Sequence, residues 1–228
     1  MTIESAEGEK FSAYLNIPAS SGGPGVIVLQ EIFGVNYVMR DIVDGLAGAG
    51  YMALCPDLFW RQEPGLQISD KTEAEWKKAF ELYQGFDEDK GIEDAIAALR
   101  SLRARDGSTG KVGTVGYCLG GKLAYLMATR SDADCSVSYY GVGIEQALDE
   151  KKNITKPLLM HIAEEDGFVP KEAQASIKDA LGANPLITIH SYPGVDHAFA
   201  RIGGENYNGE AADLAGRRTT DFFQTSLA

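Results

Sequence analysis

The apolar positions of this chain fall into two rhythms that take turns along its length. Residues 24–34, PGVIVLQEIFG, form a continuous apolar run ending in Gln-Glu. A strand covered on both faces reads this way, because neither face meets water. Residues 51–58, YMALCPDL, repeat the pattern and close at Pro56. Further strands are predicted at KVGTVGY (111–117), CSVSYYG (135–141), PLLMHIAEED (157–166) and LITIHSYPGVDHAF (186–199). The weaker alternation of FSAYLNIP (11–18) predicts an early edge strand. Between the runs the spacing becomes helical. Residues 36–50 place Val38, Ile42, Val43 and Leu46 on one face before a glycine stop. Residues 69–86 open with a Ser/Asp cap, and residues 87–105 repeat the period at Ile92, Ile96 and Leu99. Helices are also predicted over the stretch after residue 118, over 171–183 and from about Asn208 to Phe223.

Strands that alternate with helices of ten to twenty residues imply βαβ units and a mostly parallel sheet. The expected fold is one doubly wound, three-layer α/β domain spanning residues 1–228, without internal repeats. The length suits a core of that size. The net charge of −12 argues against a nucleic-acid surface, which needs clustered Lys and Arg. It also gives weight to any basic residue near a site, since an anionic substrate has to be caught locally. No stretch approaches the roughly 18 apolar residues of a membrane span. The acidic start MTIESAEGEKFSAYL shows no signal-peptide core. Three cysteines, an odd number, speak against a disulfide framework. The expectation is a cytoplasmic monomer acting on a small molecule, with no nucleic-acid or membrane partner. Cys55 and Cys135 lie in apolar runs and read as buried fillers.

Cys118 is different. It sits in G-Y-C-L-G-G, directly after a strand and before a helix. The pattern G-x-nucleophile-x-G marks a turn so sharp that flanking side chains would collide with strand and helix. The helix that follows aims backbone N–H groups at the same point, where they stabilise negative charge. The chain order that accompanies this turn is nucleophile, acid, histidine. After strand 157–163 comes EEDGFVP, offering Asp166, with Glu164 and Glu165 as rivals; Asp166, before Gly167, lies deepest in the loop and is favoured. After strand 186–192 comes PGVDHAFAR, offering His197, one of only three histidines. His161 and His190 fall within strands and read as packing residues.

The strings VIVLQEIFGVN, CPDLF, KVGTVGYCLGG, YYGVG, DGFVP and DHAFAR, spread in order over most of the chain, resemble the dienelactone hydrolase (carboxymethylenebutenolidase) family. The resemblance implies an α/β-hydrolase fold and a Cys-His-Asp triad that opens enol-lactones without metal or organic cofactor. Position by position, it makes Cys118 the nucleophile, His197 the base and Asp166 the acid that orients it. Glu31 matches a second acid that takes the thiol proton when substrate arrives. Arg201 matches an arginine that contacts that glutamate and the substrate carboxylate. The backbone N–H groups of Ile32 and Leu119 match the oxyanion hole, and Phe33 falls with the substrate-binding residues. An acid at the end of an apolar strand is costly unless paired, so Arg201 is a sensible partner for Glu31.

The chain departs from the family on the helix of residues 69–86. Trp76 and Phe80, four apart and so on one face, stand where the family carries an arginine and a tyrosine for the substrate carboxylate. Ala198 stands where the family has a serine. An aromatic face suits an apolar or aromatic body, although the same residues could form the core stripe of the helix. Arg40 and Arg61 are the alternative basic groups for an anion. The expected function is thus a cysteine hydrolase of activated lactones or esters. The alternatives are an esterase for neutral or aromatic esters, an idle hydrolase fold that binds a ligand, and a thiol peroxidase, for which no resolving cysteine is evident.

Overall fold

The apolar runs become strands with almost no exposed atoms. Val26 to Leu29 and Met52 to Cys55 are all fully buried. The computed structural model describes all 228 residues, Met1–Ala228, which divide into two compact units, Met1–Val112 and Gly113–Ala228.

In the first unit, β1 (Thr2–Glu4), β2 (Lys10–Asn16), β3 (Gly23–Leu29) and β4 (Met52–Pro56) lie in the order β1-β2-β4-β3. β1 and β2 pair antiparallel, as do β2 and β4, while β3 and β4 are parallel. β2 is therefore not the edge. β1 covers it, with Ile3 opposite Phe11, and three residues are too few to show a period in sequence. α1 (Tyr37–Gly48) is capped by Asn36, whose side chain accepts from the Met39 N–H at 3.2 Å. Its buried residues are Val38, Met39, Val43 and Ala47. The expected Ile42 and Leu46 lie at the margin of that stripe. α2 (Glu73–Gln84) starts later than expected. Thr72, not Ser69 or Asp70, is its cap, accepting from the Glu75 N–H, while Ser69 donates to the Glu75 carboxylate. α3 (Glu88–Arg103) is capped by Asp87 and buries Ile92, Ala95, Leu99 and Leu102, with Ile96 turned to the margin. α1 and α3 both pack on strands β3 and β4.

β5 (Ser108–Tyr117) crosses the division. It begins three residues before the KVGTVGY run, where alternation is absent. In the second unit, β5, β6 (Ser136–Tyr139), β7 (Leu158–Ala163) and β8 (Ile187–Tyr192) are parallel neighbours in chain order. α4 (Leu119–Arg130) packs on β6, and α6 (Gly209–Ser226) packs on β7. α5 (Lys171–Leu181) links β7 to β8. A 3₁₀ segment at Ile144–Asn153, which carries no helical period, follows β6. β7 and β8 end at Ala163 and Tyr192, where Glu164–Asp166 and Pro193–Gly194 turn away. Those turns, at the carboxyl ends of parallel strands, are where such folds place their chemistry. No helix is long and apolar enough to cross a membrane.

Candidate active site

Cys118 is a single residue between a strand and a helix. β5 ends at Tyr117 and α4 begins at Leu119. The thiol-bearing residue has φ 58° and ψ −115°, a conformation that L side chains rarely adopt. Such a residue costs on the order of 1–3 kcal/mol and persists only where its surroundings fix it. Here they do. Its N–H donates to the Tyr139 carbonyl at 3.1 Å, and its carbonyl accepts from Gly121 at 3.0 Å and Lys122 at 3.3 Å. The glycines are required by space. A Cβ on Gly116 would lie 1.8 Å from the Gly120 carbonyl oxygen, and one on Gly121 would lie 2.3 Å from that of Tyr139. Leu119 opens α4, where helix N–H groups have no intrahelical acceptor.

His197 and Asp166 meet in the turns after β8 and β7. The imidazole Nδ1 donates to the Asp166 carboxylate, 2.9 Å from Oδ2 and 3.0 Å from Oδ1. Both side chains are buried. Asp166 is itself held, since Oδ1 accepts from the Phe168 and Val169 N–H groups at 2.9 and 3.1 Å. Its rivals are spoken for differently. Glu165 pairs with Lys171 at 2.9 Å, and Glu164 contributes its backbone carbonyl to Gln174. With Nδ1 on Asp166, the other ring nitrogen interacts with Cys118 but makes no well-directed hydrogen bond and is shielded from solvent. Burial works against a charged imidazole. The influence of Cys118 and then the Asp166 hydrogen bond outweigh it, and the His197 pKa is pushed up to about 10. Such an arrangement is chemically able to serve as a nucleophile, a proton carrier and an anchor for that carrier.

Sequence reasoning missed the residues that hold His197 still. Tyr140 and Phe168 flank the imidazole edge-on, with ring centres at 5.1 and 4.8 Å. Tyr140 has φ 37°, an outlier for an aromatic residue and invisible in sequence. Asp196 Oδ1 accepts from the Gly167 N–H, tying the acid turn to the histidine turn. Asn206 donates to the His197 carbonyl at 3.1 Å. A polar residue directly before the histidine was the one signal available. Ala198 carries φ 61°. Arg201 is buried three residues further on, its N–H donating to the Ala198 carbonyl.

The remaining residues singled out in sequence, Cys135 and the two strand histidines apart, lie in the first unit. Glu31 and Ile32 follow β3 and are buried, as is Phe33. On α2 the buried residues are Ala79 and Leu82, so Trp76 and Phe80 are not its core stripe. Trp76 stacks on Phe80 at 5.5 Å, meets Phe33 edge-on at 5.0 Å, and donates from its indole to the Asp70 carbonyl at 3.0 Å. Phe80 is 37% exposed. Arg61 is committed to Asp94 and Glu7 and lies over the Trp60 ring, while Arg40 bonds Gln67 and the Val35 carbonyl. Cys55 and Cys135 are fully buried, and burial followed by the Asp57 charge pushes the Cys55 thiol up. No group of three or more His, Cys, Asp or Glu side chains is arranged to hold a metal.

Residues 11–227 match the model of the dienelactone hydrolase family. A chain from Azospirillum brasilense is 52% identical over 100% of this chain and 98% of its own. The carboxymethylenebutenolidase of Pseudomonas putida is 42% identical over 97% of this chain and 94% of its own. Among solved structures, a dienelactone hydrolase-like promiscuous phosphotriesterase from metagenomic libraries superposes with a TM-score of 0.83, covering 100% of this chain and 98% of that one. At 21% identity that likeness speaks for the shared α/β-hydrolase fold alone. With a family match over nearly its whole length and full-length relatives of known name, this chain is a hydrolase of esters or lactones and belongs to the dienelactone hydrolase family.

Proposed function

We propose that the chain is a cysteine hydrolase of enol-lactones and similarly activated esters, with Cys118 as nucleophile, His197 as proton carrier and Asp166 as its anchor. The observation that carries this reading is the buried imidazole with one nitrogen on a carboxylate and the other toward the sulfur of a strained elbow residue. The Cys118 sulfur attacks the acyl carbon, forming a C–S bond and a tetrahedral oxyanion. The Leu119 N–H at the start of α4 stabilises that charge, joined through the family resemblance by the Ile32 N–H. The C–O bond to the leaving oxygen then breaks. In an enol-lactone this leaving enolate stays tethered to the acyl group, and it takes a proton from the imidazolium, leaving His197 neutral. Water adds to the thioester, His197 accepts its proton, and the C–S bond breaks to release an acid product and the sulfur, which takes back the proton held by Glu31. Thiolate is a good nucleophile and a good leaving group, so an activated acyl group suits it. Glu31 is assigned by resemblance as the acid that first takes the thiol proton, with Arg201 as its partner and a contact for a substrate carboxylate.

A second reading concerns the acyl body. Trp76 and Phe80 present stacked, partly exposed aromatic rings outside the α2 core, which favours neutral aromatic esters over anionic lactones. One screen tests both readings. Wild type and Cys118→Ala are assayed on p-nitrophenyl acetate, cis- and trans-dienelactone and neutral aryl esters, each with and without a thiol alkylator. Turnover that needs Cys118 and is lost on alkylation is expected, fastest on enol and aryl acyl groups and much slower on alkyl esters. Turnover that survives Cys118→Ala would remove the cysteine mechanism. Equal rates on alkyl and aryl esters would remove the requirement for an activated leaving group. A wild type inert toward every substrate would leave only the ligand-binding alternative.

A further inference from the structure

We propose that Tyr192 is a positioning residue for the His197–Asp166 couple, held by a hydrogen-bond chain running Arg218→Tyr192→His161→Thr219 through the interior of the second unit. The inference rests on the triad reading above. Tyr192 is the last residue of β8 and touches both catalytic turns. Its carbonyl accepts from the Glu164 N–H at 3.0 Å, and the Val195 carbonyl accepts from the Glu165 N–H at 3.0 Å. These two rungs lace the turn of Asp166 to the turn of His197. The Tyr192 ring packs at 4.9 Å on Phe199, two residues past His197. Phe199 meets Tyr140 edge-on at 5.5 Å, and Tyr140 flanks the imidazole.

The hydroxyl fixes where that ring sits. It accepts from Arg218 Nη1 at 3.1 Å and lies 2.8 Å from His161 Nδ1. A guanidinium can only donate, which leaves the Tyr192 hydrogen for Nδ1, and the proposed chain takes that direction. His161 is then the Nε2–H tautomer and donates to the Thr219 hydroxyl at 3.0 Å, which the Tyr139 hydroxyl also meets at 2.6 Å. Burial, followed by the charges of His190 and Arg218, keeps His161 neutral, its pKa pushed down to about 3. Arg218 and Thr219 belong to α6, whose capping residue Asn208 donates from its N–H to the Phe199 carbonyl at 2.9 Å. One helix thus anchors the Tyr192 hydroxyl at its middle and the histidine turn at its start.

The test is Tyr192→Phe, which deletes the hydroxyl and keeps the ring. The expected result on p-nitrophenyl acetate is a kcat lowered about five- to tenfold with KM within about twofold, since an interaction that only aims the imidazole acts on the transition state. Wild-type kcat and KM, or a change in KM alone, would overturn the proposal. Should Tyr192→Phe not fold, Thr219→Val carries the same kcat loss, with Thr219→Ser restoring the wild-type value; equal kcat in both would overturn it. Nitrogen NMR of His161 in the wild type should show a neutral Nε2–H ring at pH 6, and an Nδ1–H ring would break the chain's direction. If the wild type shows no Cys118-dependent turnover, the hydrolase reading falls by itself. The rate at which iodoacetamide alkylates Cys118 then decides the positioning role: slower in Tyr192→Phe sustains it, unchanged ends it.

Discussion

The turn between β5 and α4 and the exposed face of α2 are built on opposite plans. At the turn, the backbone leaves the sequence no choice. Gly116 and Gly121 face carbonyl oxygens at distances no Cβ could occupy, and Cys118 sits in a conformation its neighbours impose. On α2, Ala79 and Leu82 carry the packing. Trp76 and Phe80 present rings that other side chains could replace without moving the helix. On the proposed mechanism, reaction chemistry is carried where the chain is over-determined. Selectivity, on the reading proposed here, is carried where it is free. Substitutions at the two places should therefore differ in kind as well as size.

The largest effect is expected at the glycines. Gly116→Ala places a methyl group against the Gly120 backbone rather than against a flexible side chain, so relief requires moving the strand–helix junction. A loss of about 3 kcal/mol or more is expected, at the upper end for overpacking, together with loss of activity. Urea unfolding checks it. A variant as stable as wild type would show that the turn is less constrained than its geometry says. Next comes Asp166→Asn. It keeps the shape but replaces the acceptor that orients Nδ1–H, so kcat should fall by about a thousandfold or more with little change in KM. A loss under about tenfold would return the acid role to Glu164 or Glu165.

A subtler break uses protons. The His197 pKa is pushed up to about 10, with burial opposing and the Cys118 sulfur the strongest influence in favour. A group raised on folding above its free value of about 6.5 stabilises fully below that value and less as pH rises. The contribution of this histidine is thus complete below about pH 6.5 and lost as pH climbs through about 10. Cys118→Ala should lower the imidazole midpoint, read by NMR titration, and flatten the alkaline decline of the urea midpoint. An unmoved midpoint would show that Asp166 alone sets it.

Much of this was legible in the sequence because it depends on local rules. The elbow was readable, since only glycine tolerates those contacts. Each strand that brings a triad residue was readable, since a strand buried on both faces has to be apolar. Asp166 stood out from Glu164 and Glu165 by its place before Gly167, while its hydrogen bonds with Phe168, Val169 and His197 are visible only in the structure. The aromatic clamp of Tyr140 and Phe168, and the chain from Arg218 to Thr219, join residues far apart in sequence by side-chain geometry, for which periodicity has no signal. β1 and the Thr72 cap were missed for a different reason. A three-residue strand has no period, and Ser69, Asp70 and Thr72 are all competent caps until Ser69 is seen bonded to the Glu75 carboxylate.

The smallest effect, and the one that most directly sharpens the contrast, lies on α2. If Trp76 and Phe80 select the acyl body, the double change Trp76→Arg with Phe80→Tyr supplies two polar contacts for an anionic lactone and removes two aromatic faces. A charge-assisted hydrogen bond is worth roughly 1.5–3 kcal/mol when formed without solvent, and less where water competes. Phe80 is 37% exposed, so the lower figure applies. The ratio of kcat/KM for dienelactone over a neutral aryl ester should rise by about tenfold. Stability should change little, because the stripe that packs α2, Ala79 and Leu82, is untouched. The cost includes the stack with Phe80, the edge-on contact with Phe33 and the indole bond to Asp70. An unchanged ratio in a folded variant would end the selectivity role. A variant that loses stability by several kcal/mol would show that the aromatic face is packing after all, and that α2 is built on the same over-determined plan as the elbow.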